Sequence, residues 1–373
     1  MGVNWFKQAV SQSEQLHPYI PGKPVAQMLR EQGLSESEIA RHEAGIVKLA
    51  SNENPYGTPP KALEAIRQAA CEACRYPDGD CFELKQALAA KHKIQAEQLL
   101  IGNGSNEVLE LVIRSFAGTG DEVIYSQRGF IVYALATIAA GATGVAVPEH
   151  DGFSHDLSAM LEAVTSKTKV ICIANPNNPT GSLLSTSELQ SFLNKLPSHI
   201  VVILDEAYYE YVMDEVDDSI HALTHDGLIV SRTFSKAYGL AGCRVGYAVA
   251  HPDLLAVVNR FREPFNVNSL AQAAALAALD EHDWVMDKVA QCKQERDRLE
   301  AALQDLGLLA AHSFANFVLL RYGGAAELAR DLERQGVIVR PLAPYAMADI
   351  LRVSVGSETE NDAFLTALRK VLP

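Results

Sequence analysis

Between residues 122 and 249 the chain carries six short runs of mostly β-branched and aliphatic residues, at 122–126, 144–147, 169–174, 200–204, 228–231 and 245–249. Helix-period patterns separate several of them, near 130–140, 156–165 and 186–196, and Ser185-Thr186-Ser187-Glu188 spells a capping box for the last. Strands covered on both faces lose the alternation of inward and outward residues and read as continuous Val, Ile and Leu. The pattern therefore predicts an α/β fold, a mainly parallel sheet covered by helices. Ligands of such sheets sit beyond the carboxyl ends of the strands. The residues that follow each run are the ones to read for chemistry.

The flanks are built differently. Residues 1–58 are irregular and polar, punctuated by Pro18, Pro21, Pro24 and Pro55, and helical patterns follow at about 59–74 and 82–92. Past residue 249 a helical stretch covers about 251–308, interrupted near 264–268. Residues 309–373 change style, with strand-like runs at 316–321, 337–340 and 351–355 and helices at 325–335 and after Glu358. They predict a second, smaller α+β unit.

A chain of 373 residues is long enough for such a division. Net charge is −14, from 46 acidic and 32 basic residues, which argues against a general binder of nucleic acid or of anionic membranes. It leaves room for a local basic pocket. The uncharged run 130–148 is rich in Ala, Gly and Thr; a buried helix, a turn and a buried strand explain it better than a membrane span. Met1-Gly2-Val3-Asn4-Trp5-Phe6 matches neither a signal peptide nor a myristoylation site, so a cytoplasmic chain is expected. Cys71 and Cys74, with Cys81 nearby, have redox or metal spacing, but no second pair follows and the stretch looks helical. Reduced thiols and no metal site are expected.

The segment Ser231-Arg232-Thr233-Phe234-Ser235-Lys236-Ala237-Tyr238-Gly239 follows one apolar run, and Arg244 closes it. A lysine among small residues is either a surface lysine in a turn or an amine kept for Schiff-base chemistry with an aldehyde. Hydroxyls and an arginine beside it suit a phosphate. Gly104-Ser105-Asn106 opens an amphipathic run, the layout of an anion-binding helix start. Asp205 ends a wholly apolar run, so it is either a surface cap or a buried carboxylate that needs a cationic partner. Asn178 lies in the turn Asn175-Pro176-Asn177-Asn178-Pro179-Thr180-Gly181, where a simple turn former is the plain alternative. The acidic stretch 214–218 reads as a solvated loop.

In this order, with Tyr208 and the late Arg352, these residues resemble the fold-type I pyridoxal-phosphate-dependent aminotransferases of class I/II, from about Asn52 to Gly356. Asn52-Glu53-Asn54-Pro55-Tyr56-Gly57 and Leu16-His17-Pro18-Tyr19 resemble the histidinol-phosphate aminotransferase branch. The resemblance implies a large cofactor domain at 55–265, a small domain at 266–373, and residues 1–54 as an arm and part of the small domain. It implies Lys236 as the catalytic amine that holds pyridoxal phosphate, Asp205 at the ring nitrogen, and Asn178 and Tyr208 at the phenolic oxygen. Gly104, Ser105, Asn106, Thr233, Ser235 and Arg244 would cradle the cofactor phosphate, and Phe130 would stack on the ring. Gln127-Arg128-Gly129 departs from the Pro- or Tyr-containing run usual before that aromatic.

The resemblance also implies a homodimer with shared sites. Tyr56 would reach the neighbour's cofactor phosphate, and Tyr19 the neighbour's substrate unless it only packs beside Pro18. Asn54, Arg340 and Arg352 complete the implied substrate site. The implied substrates are histidinol phosphate and 2-oxoglutarate with its product glutamate. An arginine fork takes a phosphate or a carboxylate equally well. An aromatic amino-acid aminotransferase and a pyridoxal-phosphate decarboxylase, such as those acting on threonine phosphate, therefore stay open. A ligand-sensing regulator finds no basic segment before residue 50 to support it.

Overall fold

The computed structural model describes Trp5, residues 8–16, 25–31, 33, 35 and 45–373. Thirteen strands are placed: β1 Val47–Lys48, β2 Leu99–Gly102, β3 Glu122–Ser126, β4 Thr143–Val147, β5 Thr168–Ala174, β6 Val201–Asp205, β7 Leu228–Thr233, β8 Gly246–Ala250, β9 Leu309–Ala311, β10 Phe317–Arg321, β11 Val337–Ile338, β12 Arg340–Leu342 and β13 Met347–Ser354. Seven of them form one sheet in the order β2-β8-β7-β6-β5-β3-β4. From β7 to β4 every pairing is parallel, while β8 runs against both its neighbours. The expected mainly parallel sheet is present, with apolar clusters built around its strands and helices.

Register delivers the strand ends as a row. Ala174 of β5 pairs with Asp205 of β6, and Asp205 with Ser231 of β7. Beside them Thr233 pairs with Gly246, and Gly246 with Gly102. Because β8 is reversed, it begins where its neighbours end. The link from β7 to β8, which holds Lys236 and Arg244, therefore stays at that same edge.

Several sequence expectations need correction. β2 was not anticipated; its four buried residues are too short a run to show a period. β4 forms but is not a buried strand: it pairs only with β3 at the sheet edge, and Thr143, Gly144 and Ala146 are exposed. The helix before Cys71 ends at Ala70, so Cys71 and Cys74 lie exposed in a turn. All six cysteines are free, and among the described residues no group of three or more His, Cys, Asp or Glu is placed to hold a metal ion. No helix among the described residues is long and apolar enough to cross a membrane.

After β8 the expected long helical stretch is three helices, Pro252–Val258, Ser269–Leu279 and His282–Asp305, the second capped by Asn268 through the Ala271 N–H at 2.8 Å. The C-terminal part forms a small sheet in the order β12-β13-β10-β9. The run expected at 337–340 divides: β11 pairs in parallel with β1, and β12 pairs antiparallel with β13.

The expected solvated loop at 214–218 is partly wrong. Asp218 Oδ1 accepts from Arg232 Nη2 at 2.6 Å, and Arg232 Nε donates to Glu206 Oε2 at 2.9 Å, with both Arg232 and Glu206 2% exposed. The guanidinium also lies 3.5 Å from the centre of the Tyr209 ring. This buried pair sits one residue behind Asp205 and locks β6 to β7. Truncation should strand Glu206 in the core. Arg232→Met is expected to lose about 3–5 kcal/mol, read as a lowered urea midpoint; a loss below about 1 kcal/mol, the worth of a surface pair, would show that the cluster is not structural.

Candidate active site

The strand ends open on a cavity of about 240 Å³. One wall comes from the helix Ser105–Phe116. Its N-cap is Gly104 at φ +80°, and no side chain caps the first turn. A methyl on Gly104 would stand 2.5 Å from Arg244 Nη2, and one on Gly246 would stand 2.5 Å from the Ser105 N–H nitrogen. Only glycine lets β8, the guanidinium and the helix start meet this closely. Arg244, held at φ 59°, donates to Ala241 O at 3.1 Å and to Ser235 Oγ at 3.4 Å. Ser105, Asn106, Thr233, Ser235 and Arg244 all line the cavity. Helix amides, hydroxyls and a guanidinium make an anion cradle.

Next along the wall stands Lys236. Its Nζ donates to Ser51 O and Asn52 O, each at 3.3 Å. Desolvation, then the charge of Arg352, lowers its pKa to about 8. Asp205 is 3% exposed, and burial pushes its carboxyl up to about 6. Its Oδ2 accepts from the Tyr133 hydroxyl at 2.9 Å, while Oδ1 has no hydrogen-bond partner among the described residues. Asn52 Nδ2 donates to the Tyr208 oxygen at 2.8 Å, which leaves the tyrosine's own proton free for an acceptor in the cavity. Phe130 lines the cavity with its ring edge-on to Tyr133, 6.0 Å between centres.

The small sheet supplies the remaining wall. Arg340 of β12 pairs directly with Arg352 of β13, and both line the cavity. Arg352 Nη1 donates to Asn178 Oδ1, and Nη2 to Ala50 O at 3.1 Å.

Of the residues singled out in the sequence, twelve line this one cavity: Ser105, Asn106, Phe130, Asn178, Asp205, Tyr208, Thr233, Ser235, Lys236, Arg244, Arg340 and Arg352. Gly104 lies directly behind Arg244. Asn54 is set back from the cavity and donates to Ala237 O at 2.8 Å, bracing the segment next to Lys236. Tyr56 also lies outside it, with the Lys288 ammonium 5.7 Å from its ring centre; burial raises its hydroxyl pKa. Tyr19 lies outside the described residues. Sequence reasoning gave no role to Asn52, Tyr133 or Tyr345. Tyr133, three residues beyond Phe130 in an apolar helix, reads as core; Asn52 at φ 54° was marked only by its place in a motif.

The donor set fits pyridoxal phosphate. The cradle would answer the phosphate, Asp205 Oδ1 the ring nitrogen, Tyr208 and Asn178 the phenolic oxygen, Phe130 a ring face and Lys236 the aldehyde. The observation that tests the fit is Asp205 Oδ1. A buried carboxylate oxygen without a donor is costly, and a protonated ring nitrogen is a donor of the right kind.

The sequence pattern of the family "Aminotransferase class I and II" matches residues 44–368. The histidinol-phosphate aminotransferase of Methylobacillus flagellatus is 48% identical over 366 residues, 98% of this chain and 97% of that protein. Histidinol-phosphate aminotransferase 2 of Pseudomonas aeruginosa is 49% identical over 372 residues, 96% of each. Among solved structures, histidinol-phosphate aminotransferase from Sinorhizobium meliloti in complex with pyridoxal-5'-phosphate superposes with a TM-score of 0.86 at 29% identity, covering 98% of this chain and 99% of that one.

The lowered pKa of Lys236 can be read without turnover. Competitive labelling of the ligand-free protein with an amine-selective reagent, followed by peptide mass spectrometry, should give half-maximal reactivity of Lys236 near pH 8, with ordinary lysines near 10.5. Arg352→Met removes a neighbouring positive charge and should move that midpoint upward; an unchanged midpoint would mean that burial alone sets it.

Proposed function

Since the chain belongs to the class I and II aminotransferase family, we propose that it is a histidinol-phosphate aminotransferase, moving the amino group of L-histidinol phosphate to 2-oxoglutarate in histidine biosynthesis, with pyridoxal phosphate as cofactor. The observation that carries the substrate assignment is Arg340 directly opposite Arg352. Residues directly opposite across a strand pair share one face of the sheet, so both arginines can serve one anion in the cavity. A phosphomonoester is a dianion with three acceptor oxygens, enough for two guanidinium forks. Near-full-length identity of 48–49% to histidinol-phosphate aminotransferases supports the same assignment.

Bound pyridoxal phosphate supplies an electron sink for the negative charge left when the substrate α-carbon loses its proton. The chain's own groups do the rest. Lys236, its pKa lowered to about 8, takes and returns that proton close to neutral pH. Asp205, ionised above about pH 6, holds a proton on the ring nitrogen. Tyr208 donates its free proton to the phenolic oxygen, joined by Asn178. Gly104 admits Arg244 to the cradle that grips the cofactor phosphate, and Phe130 covers the ring. Arg340 and Arg352 hold the substrate's phosphate, or the carboxylates of 2-oxoglutarate and glutamate in the second half of the cycle.

The proposal includes a cytoplasmic homodimer with a large domain at 55–265, a small one at 266–373, and residues 1–54 shared between an arm and the small domain. Tyr56 would serve the neighbour's cofactor phosphate and Tyr19 the neighbour's substrate, while Asn54 would support the site from behind by bracing the segment next to Lys236. The position of Tyr56 outside the cavity of its own chain supports a role across the interface.

Three measurements test this reading. With 2-oxoglutarate as acceptor, glutamate should form faster from histidinol phosphate than from phenylalanine. Preference for phenylalanine, or carbon dioxide release from threonine phosphate, would overturn the assignment. Arg340→Ala should raise KM for histidinol phosphate about ten- to a hundredfold, the worth of one charge-assisted hydrogen bond, and affect dephosphorylated histidinol much less. Equal losses on both would remove the phosphate-binding role. Tyr133→Phe withdraws a hydrogen bond that favours ionised Asp205, so the Asp205 pKa rises and the acid limb of the kcat/KM profile should move to higher pH. An unmoved limb would mean that Tyr133 only packs.

A further inference from the structure

The run Gln127-Arg128-Gly129 holds a residue, Arg128, whose backbone and side chain together join four segments. The Arg128 N–H donates to Glu149 Oε1 at 2.5 Å, and its Nε lies 3.7 Å from Glu149 Oε2, on a carboxylate side chain only 2% exposed. Its carbonyl accepts from Asn177 Nδ2 at 3.1 Å, in the turn that carries Asn178. Nη1 donates to Gly152 O, and Nη2 reaches Ala346 O at 3.5 Å.

Ala346 belongs to the small sheet, in the link between β12 and β13, directly after the cavity-lining Tyr345. Phe130, two residues beyond Arg128, lines the cavity from the large sheet. One guanidinium thus spans from the loop that carries Phe130 to the link that carries Tyr345. Ala346 sits at φ 55°, ψ 35°, a left-handed conformation that alanine keeps only where its surroundings impose it. The loop of Gly152 meets the small sheet a second time, where the Arg321 guanidinium lies 5.8 Å from the Phe153 ring centre.

We propose that Arg128 is a positioning residue for substrate binding: its planar fork holds the β12–β13 link against the large sheet and so fixes Tyr345 and Arg340 around the substrate's anionic end. Only the part that concerns Arg340 rests on the function proposed above. The two Nη groups serve two separate carbonyl oxygens. A lysine would keep the charge at this place without the fork.

The test compares wild type, Arg128→Met and Arg128→Lys, all loaded with pyridoxal phosphate. Arg128→Met should raise KM for histidinol phosphate about tenfold, as for one lost charge-assisted hydrogen bond, and leave kcat within about twofold. Amide hydrogen exchange at residues 343–347 should quicken about tenfold or more, with the β6 amides and the thermal midpoint unchanged. Arg128→Lys should restore only a minor part of either effect. Full rescue by lysine would assign the effect to charge and overturn the tether. So would unchanged exchange at 343–347, or a joint fall of kcat and thermal midpoint, which marks a merely structural residue. If wild type does not turn over histidinol phosphate, the substrate assignment fails, and the exchange comparison still decides the tether.

Discussion

Arg340 and Arg352 stand directly opposite each other on two paired strands, and much of the site follows from that concentration of positive charge. With Lys236 and Arg244 they bring four cationic side chains to one cavity, and among the described residues Asp205 is the only carboxylate that lines it. The chain as a whole carries a net charge of −14. This local reversal of sign makes the cavity a well for anions in an acidic protein. It also acts on Lys236: Arg352 and Arg244 both add to the desolvation that lowers its pKa. The field that would gather a phosphorylated substrate thus also frees the amine that must take its proton.

That arrangement needs two sheets in register with each other, and residues 49–52 provide the joint. Leu49 N–H donates to Ile338 O and Leu49 O accepts from Ser354 N–H, each at 2.8 Å, so the segment is sewn into the small sheet. From there Ala50 O receives Arg352, Ser51 O and Asn52 O receive Lys236, and the Asn52 side chain orients Tyr208. Asn52 adopts the left-handed conformation, which asparagine tolerates better than most residues. A short irregular stretch thereby sets Lys236 and Arg352 on one backbone reference.

What the sequence made legible was what strand burial imposes. Strands covered on both faces had to be continuous apolar runs, so β3, β5, β6 and β7 could be read directly, and polar residues at their ends were conspicuous because the runs were not polar. Asp205, Lys236 and Asn178 were found in that way. Features that depend on which neighbour a residue meets were not legible. β4 has an apolar composition but lies at an edge. Asp218 looked like loop charge because its partner Arg232 is far away in sequence and buried. Tyr133 has the helical spacing of a core residue, and its hydroxyl matters only because β6 ends beside it. The division of 337–342 between two sheets hangs on β1, a two-residue strand with no pattern of its own.

Some of the unfavourable features of the described structure lie at or beside the cavity. Asp205 Oδ1 is buried with no donor among the described residues, and Arg244, Asn52 and Ala346 hold positive φ. Each costs on the order of 1–3 kcal/mol unless something answers it. The rest of the fold supplies the means to hold them: the Arg232–Glu206 pair locks the strands that carry Asp205, and the 49–52 joint fixes both sheets. A cofactor that donates to Asp205 Oδ1 would remove the first of these costs, and its binding free energy would then include that relief. A site arranged in this way is pre-organised: the geometry is set during folding, and binding need not create it.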